Sequence, residues 1–328
     1  MAAPKYKRHV PKDGSRHRLT TYIAVSLFVL VDVALIGWAL NSTRGAPAAP
    51  QAVEIPGATT PQVEPTETST PEPTASTNST VTTAFPPTRI STALNDMVAW
   101  RAETGPCPET PASPEYTLDG GLTWTATDAT GPTDITALQS ITVEDDGIAS
   151  MIGLSGEDCS PEFVKTFVAG DNYRAYPDQL EDNWYIDPAD RTLIQTPDGE
   201  VDSPCNEVVA LAVADSSSVA ALCADQTVFT TNNVAATWSS AVTISGAVNV
   251  SVIETGFQFV ILGKAECAGV QLATLSGDGV LSFTGCLVVD NRLSELSNNI
   301  GIYGVDGASW VWVGDIVKKT LDGGATWD

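Results

Sequence analysis

Thr117-Leu118-Asp119-Gly120-Gly121-Leu122-Thr123-Trp124 returns near the end of the chain as Thr320-Leu321-Asp322-Gly323-Gly324-Ala325-Thr326-Trp327. Weaker copies are Thr231-Asn232-Asn233-Val234-Ala235-Ala236-Thr237-Trp238 and Ser276-Gly277-Asp278-Gly279-Val280-Leu281-Ser282-Phe283. A fifth is centred on Asp171 and keeps an aromatic at Tyr176. A repeated turn implies a repeated supersecondary unit, which decides the fold before any strand is assigned. An Asp side chain can bond the amides of its own turn, and Gly supplies positive φ. Thr and Trp suit the start of a strand, and Trp is large enough to anchor between sheets. The side chains of Asp119, Asp171, Asn233, Asp278 and Asp322 are therefore read as structural, with Trp124, Trp238 and Trp327 as anchors.

The pattern Ser/Thr-x-Asp-x-Gly-x-Thr-Trp resembles the Asp-box of the BNR repeat family, and the first and last copies match every fixed position. The resemblance covers roughly residues 90–328. It implies an all-β, sialidase-like β-propeller of four-stranded blades. Activity stays open, because a fold does not fix one. Short strands between Gly, Asp and Asn turns agree with this, and no helical period is sustained. Along the chain the unit gives five blades, near 90–130, 133–203, 204–244, 246–290 and 293–328. The second is too long; its excess, 177–203, is either an insertion or a collapsed sixth blade. The last has three strands, so residues 79–85, rich in Thr and Val, are expected to lend the fourth. They would pair with 318–321 or 326–327 and cover a bare edge.

Ahead of the repeats the composition changes twice. Residues 1–18 form a basic tail, with six Lys and Arg against Asp13, a net of +5. Residues 19–40 are largely apolar. The 21 residues 20–40 suffice to cross a hydrocarbon core of about 30 Å. Basic residues before the span predict a single-pass anchor with a cytoplasmic N-terminus and an extracytoplasmic bulk. A cleaved signal peptide is the rival, but the stretch is long for one. Asp32 in mid-span is read as a tolerated carboxyl, with a partner helix or proton relay as the functional alternative. Residues 41–88 are rich in Pro, Thr, Ser, Ala and Glu, the composition of a disordered linker. Asn41 and Asn78 open sequons. Residues 89–328 are the repeat domain. Beyond the tail and span, 10 basic residues face 38 of the 40 acidic ones, a net of −28.

Six cysteines, all beyond the span, suit an oxidising compartment. Cys107, Cys159, Cys223 and Cys267 precede the turn aspartate or asparagine by 12, 12, 10 and 11 residues. On the propeller reading they lie at the end of the blades opposite the repeated turns, which Cys205 and Cys286 also reach. Proximity favours Cys205–Cys223 and Cys267–Cys286, leaving Cys107–Cys159 to join two blades. Zinc is the rival. No Cys-x-x-Cys supports it, and both histidines, His9 and His17, lie in the basic tail.

The search for chemistry returns little. Without His in the repeat domain, a Ser-His-Asp mechanism is unavailable there. No phosphate loop occurs, and a body this acidic argues against nucleic acid. No metal or other cofactor is implied: the acidic clusters Asp145-Asp146, Glu157-Asp158 and Glu181-Asp182, with Asp187 and Asp190, match no Ca²⁺ loop. The resemblance also raises sialidase chemistry, which uses three arginines and a Tyr/Glu pair. The candidates are Arg89, Arg101, Arg174, Arg191 and Arg292, and the family's early Arg-Ile-Pro stands here as Arg89-Ile90-Ser91. Arg174 and Arg191 are read as partners of Asp171, Asp187 or Asp190. Tyr173, Tyr176, Trp184 and Tyr185 concentrate in the long second blade, either as a ligand surface or as that blade's core. The expectation is a non-catalytic binding or scaffold module for a protein or carbohydrate ligand. The alternatives are a sialidase-like or other glycoside hydrolase, or an assembly factor for a membrane complex.

Overall fold

The structure, a computed structural model, describes residues 83–328 other than Asp306 and the side chain of Leu293. The tail, the span and the linker up to residue 82, with the anchoring expected of them, lie outside the described residues. Among the described residues no helix is long and apolar enough to cross a membrane.

Six antiparallel sheets follow one another along the chain. Blade I is β1 (Arg89–Ala93), β2 (Ala99–Glu103), β3 (Glu115–Thr117) and β4 (Thr125–Ala126). Blade II is β5 (Ile135–Asp145), β6 (Ile148–Ser155), β7 (Pro161–Thr166) and β8 (Arg174–Ala175). Blade III has three short strands, β9 (Tyr185–Ile186), β10 (Leu193–Thr196) and β11 (Gly199–Asp202). Blade IV is β12 (Val208–Val213), β13 (Val219–Cys223), β14 (Thr227–Thr231) and β15 (Val242–Thr243). Blade V is β16 (Ala247–Ile253), β17 (Gly256–Ile261), β18 (Gly269–Ser276) and β19 (Leu281–Val288). Blade VI is β20 (Ile300–Val305), β21 (Ala308–Val313) and β22 (Ile316–Thr320). The fold is an all-β propeller of six blades, not five. Of the two readings of residues 177–203, the collapsed sixth blade holds: a 3-10 helix, Pro177–Asp182, leads into the small, three-stranded blade III.

Strands covered on both faces by neighbouring blades read as near-continuous apolar runs. β13 is buried at every position, as is β21. The core is divided among the seams. Trp100, Leu138, Met151 and Val164 join blades I and II. Trp184, Ile194 and Val219 join III and IV. Leu222, Ile244, Phe259 and Ile261 join IV and V. Leu272, Ile300 and Val311 join V and VI, and Ala93, Ala99 and Trp310 join VI to I. Among the described residues no buried apolar cluster joins II to III.

Closure differs from the strand exchange expected of 79–85. The described end of that segment does not run beside β22. The Ala84 N–H donates to the Ala224 carbonyl at 2.9 Å, and the Thr88 N–H to the Asn298 carbonyl at 2.7 Å. Ala84 is buried in the cluster between blades IV and V, across the ring from blade I. Residues 84–88 therefore form a strap over the end of the ring opposite the repeated turns. The outer side of β22 is met instead by Asp328, which exchanges backbone bonds of 2.9 and 3.3 Å with Lys319. The ring itself closes by packing β1 on β20, helped by Gly301, whose Cα is overlain by Ser91.

All six cysteines are paired, as Cys107–Cys159, Cys205–Cys223 and Cys267–Cys286. The first staples blade I to blade II. The second ties the entry of blade IV to the end of β13, and the third spans a turn and outer strand of blade V.

Candidate functional site

The repeated turns are built alike. In blade I the Thr117 hydroxyl donates to Asp119 Oδ1 at 2.8 Å and accepts the Gly121 N–H at 3.0 Å. Asp119 then accepts the Thr123 N–H at 2.9 Å on Oδ1 and the Thr123 hydroxyl at 2.6 Å on Oδ2. Asp322 repeats this with Thr320 and Thr326. Asn233 keeps it in neutral form, accepting from the Thr237 N–H and donating to its hydroxyl. Asp278 accepts the Ser276 hydroxyl, which in turn accepts the Val280 N–H at 3.2 Å. The Thr123 hydroxyl and N–H hold the Asp119 carboxyl down at about 2, and the Thr326 N–H and hydroxyl do the same for Asp322.

In blade II the frame differs from the sequence reading. Thr166 takes the place of Thr117, accepting the Val168 and Gly170 N–H groups at 3.4 and 3.0 Å. Val168 therefore stands where Asp119 stands, and exposed Asp171 lies three residues further on. The spacing Thr166-x-x-x-Gly170 was the signal that could have set this frame. Blade III adds a sixth, shorter turn, in which the Asp198 N–H donates to Thr196 Oγ1 at 3.1 Å. The aromatic anchors point back to the preceding blade. Trp124 packs on the VI–I cluster, Trp238 on III–IV and Trp327 on V–VI.

The inner strands surround an axial channel of about 420 Å³ lined by residues from all six blades. Pro86, Pro87 and Thr88 of the strap cover one end. The walls are hydroxyl- and amide-bearing: Thr92, Ser140, Thr142, Asn183, Asn249 and Ser251 alternate with Ile90, Ile141, Leu211 and Val250. Gln139 enters through a bulge where β5 loses register between Thr136 and Ser140. Asn249 is held by its donation to the Ile300 carbonyl at 2.8 Å. Among the described residues the charged ones in the lining are Arg89 and Arg191, and no Asp, Glu, His or Cys lines the channel. Arg191 donates through Nε to the Val208 carbonyl at 2.8 Å and through Nη2 to the Val209 carbonyl at 3.0 Å. These carbonyls replace the acidic partners expected for it. Burial pushes its pKa down, against the pull of Glu207.

The four aromatics of the long second blade are not gathered into one surface. Tyr173 is core, its hydroxyl 2.6 Å from Thr127 Oγ1, and burial pushes it up to about 12. Trp184 is buried and donates to the Ser216 carbonyl at 3.0 Å. Tyr176 stands edge-on to Phe167 on the outer part of blade II. Trp184 and Tyr185 line the channel, and Tyr185 is half-buried there. The arginines are dispersed as well: Arg174 and Arg292 are exposed, and Arg101 lies outside the channel lining. Among the described residues no three His, Cys, Asp or Glu side chains are grouped to hold a metal.

No family model matches the chain, and no curated relative matches it. Solved structures do. An Aleuria aurantia lectin in complex with alpha-methyl-L-fucoside aligns over 75% of this chain and 94% of its own, at 8% identity and a TM-score of 0.45. YCF48 bound to D1 peptide aligns over 75% of this chain and 82% of its own, at 14% identity and a TM-score of 0.29. A Hadza microbial sialidase, Hz136, aligns over 68% and 49%, at 10% identity and a TM-score of 0.32.

Proposed function

We propose that the protein is a membrane-anchored, extracytoplasmic propeller that binds a protein or carbohydrate ligand in its axial channel and does not turn it over. The observation that carries this is the channel lining, which among the described residues holds hydroxyls, amides, Tyr185, Tyr303 and two arginines but no carboxylate. Glycoside hydrolysis ordinarily needs two carboxyl groups flanking the scissile bond, about 5–9.5 Å apart. A channel without one can orient a hydroxylated or peptidic ligand and has no acid–base pair for it. The turn carboxylates are structural on this reading, since Asp119 and Asp322 engage both oxygens within their own turns. The three disulfides support an extracytoplasmic body.

The test has two arms. The purified protein is titrated with glycan and peptide panels, and it is incubated with chromogenic glycosides that include sialosides. Saturable binding weakened by Arg191→Gln, without product release, is expected. Turnover that Arg191→Gln abolishes would overturn the proposal. For the anchor, protease added to intact cells should remove the body and protect residues 1–18. A soluble form beginning after residue 40 would contradict it.

A further inference from the structure

A second cavity, about 410 Å³, opens in the seam between blades VI and I. It shares only Arg89 with the lining of the axial channel. Its floor is a stack. The Arg89 guanidinium lies 4.0 Å from the centre of the Trp312 ring, and that of Arg101 lies 4.6 Å from the same ring and 4.1 Å from Trp124. Each guanidinium is paired. Arg89 Nη2 is 3.2 Å from Glu103, and Arg101 donates through Nε at 2.7 Å and Nη2 at 2.6 Å to Glu115 Oε2. Asp315 completes the charged lining.

Three features set this seam apart from a structural ion pair. Arg89 is only 7% exposed, yet its Nη1 has no hydrogen-bond partner. A buried donor left in that state is costly, and proteins rarely keep one without a use. The carboxylates are the accessible members: Glu103 is 70% and Glu115 34% exposed, against 16% for Arg101. Both bonds from Arg101 fall on a single oxygen of Glu115, so its Oε1 is not engaged by that arginine. The cleft thus offers acceptors beside donors, with the positions fixed by the rings beneath.

That pattern selects a ligand class. A hydroxyl both donates and accepts, so neighbouring hydroxyls match a row of carboxylate acceptors and guanidinium donors. Three carboxylates against two guanidinium groups repel an anionic ligand, and the two guanidinium groups disfavour a bare cation. The volume lies within the range of about 300–1,000 Å³ usual for small-ligand sites. We infer that the VI–I seam is a binding site for a neutral saccharide, with Glu115 and Glu103 accepting from vicinal hydroxyls and Arg101 donating to them.

The test is titration of the full chain with methyl glycosides of neutral hexoses and 6-deoxyhexoses, followed by the indole N–H signals of Trp312 and Trp124. At least one glycoside should shift both signals saturably. Glu115→Gln should weaken its binding tenfold or more, whereas Arg174→Gln, on the exposed outer strand of blade II, should leave it unchanged. Ser113→Trp guards against misfolding of the buried pair. Ser113 is an exposed rim residue of the cavity, so the bulky ring should block binding at an unchanged melting temperature. The inference falls if no glycoside shifts these signals, if Ser113→Trp binds normally, or if a sialoside or inorganic phosphate binds more tightly than every neutral glycoside.

Discussion

Two adjacent glycines separate the conformational demand of a turn from the packing of a seam. Gly323 and Gly324 have φ of +70° and +92°. A Cβ on Gly323 would meet nothing within 4 Å. A Cβ on Gly324 would lie 2.7 Å from the Gly285 Cα and 3.2 Å from its backbone N and C, on the outer strand of blade V. The Gly285 N–H also donates to the Gly323 carbonyl at 2.9 Å, so the two backbones are already in register. Forcing an L-residue into the left-handed region costs roughly 1–2 kcal/mol. Overpacking adds about 1–3 kcal/mol, and backbone cannot rotate aside as a side chain can. Gly323→Ala should therefore cost roughly 1–2 kcal/mol and Gly324→Ala about 2–5 kcal/mol. For a domain of this size 1 kcal/mol moves the midpoint by roughly 2–4 °C, so the falls should be about 2–8 °C and 4–20 °C. Circular dichroism melts under non-reducing conditions would read both. Equal losses, or a larger loss at Gly323, would refute the claim that the last turn is the docking element between blades V and VI.

Three further outcomes are expected. NMR titration should find the Asp119 and Asp322 carboxyls protonating at about pH 2. Their folded pKa lies below the unfolded value near 3.9, so the stability they add is full above about pH 4 and is lost as pH falls through 2; midpoints near 4 would contradict the turn bonding. Amides of blade III should exchange with deuterium before those of β16–β18, because among the described residues no buried cluster ties blade III to blade II; late exchange there would oppose it. Alkylation without reductant should label none of the six cysteines, and mass mapping should return the three named pairs; stoichiometric labelling would refute the redox assignment.

The parts of this fold that were legible in sequence are those whose causes are local. Thr117, Asp119, Gly121 and Thr123 bond one another within seven residues, so their spacing alone announces the turn. The cysteine pairs could be read once the turns set the blade frame. Blade III could be read only as one of two alternatives, an insertion or a collapsed blade, because β9 has two residues and β10 and β11 four each. Strands that short hold no alternation to count, and the turn at Thr196 lacks the Thr-Trp that follows the turns of blades I, IV and VI. Asp171 misled because a carboxylate was taken as the marker, whereas in blade II the Thr166 hydroxyl organises the turn and Val168 fills the Asp position. The strap was misread because β propensity in 79–85 says that a segment will extend, not which edge it will meet.

The sites were the least legible, because their neighbours are distant in the chain. Arg89 and Trp312 stand at opposite ends of the domain, and only the closure of β1 on β20 lays one over the other. The channel lining follows the same logic. In a repeat domain with 34 acidic residues, an axis with no carboxylate among its described lining residues requires sorting across all six blades. Close-set inner strands supply a reason: like charges facing across a narrow, partly dry channel repel far more strongly than on the surface. Among the described residues the sorting leaves the axis without an acidic group and the seam with acids that stand in pairs with arginines. Two cavities so different in charge select different chemistry.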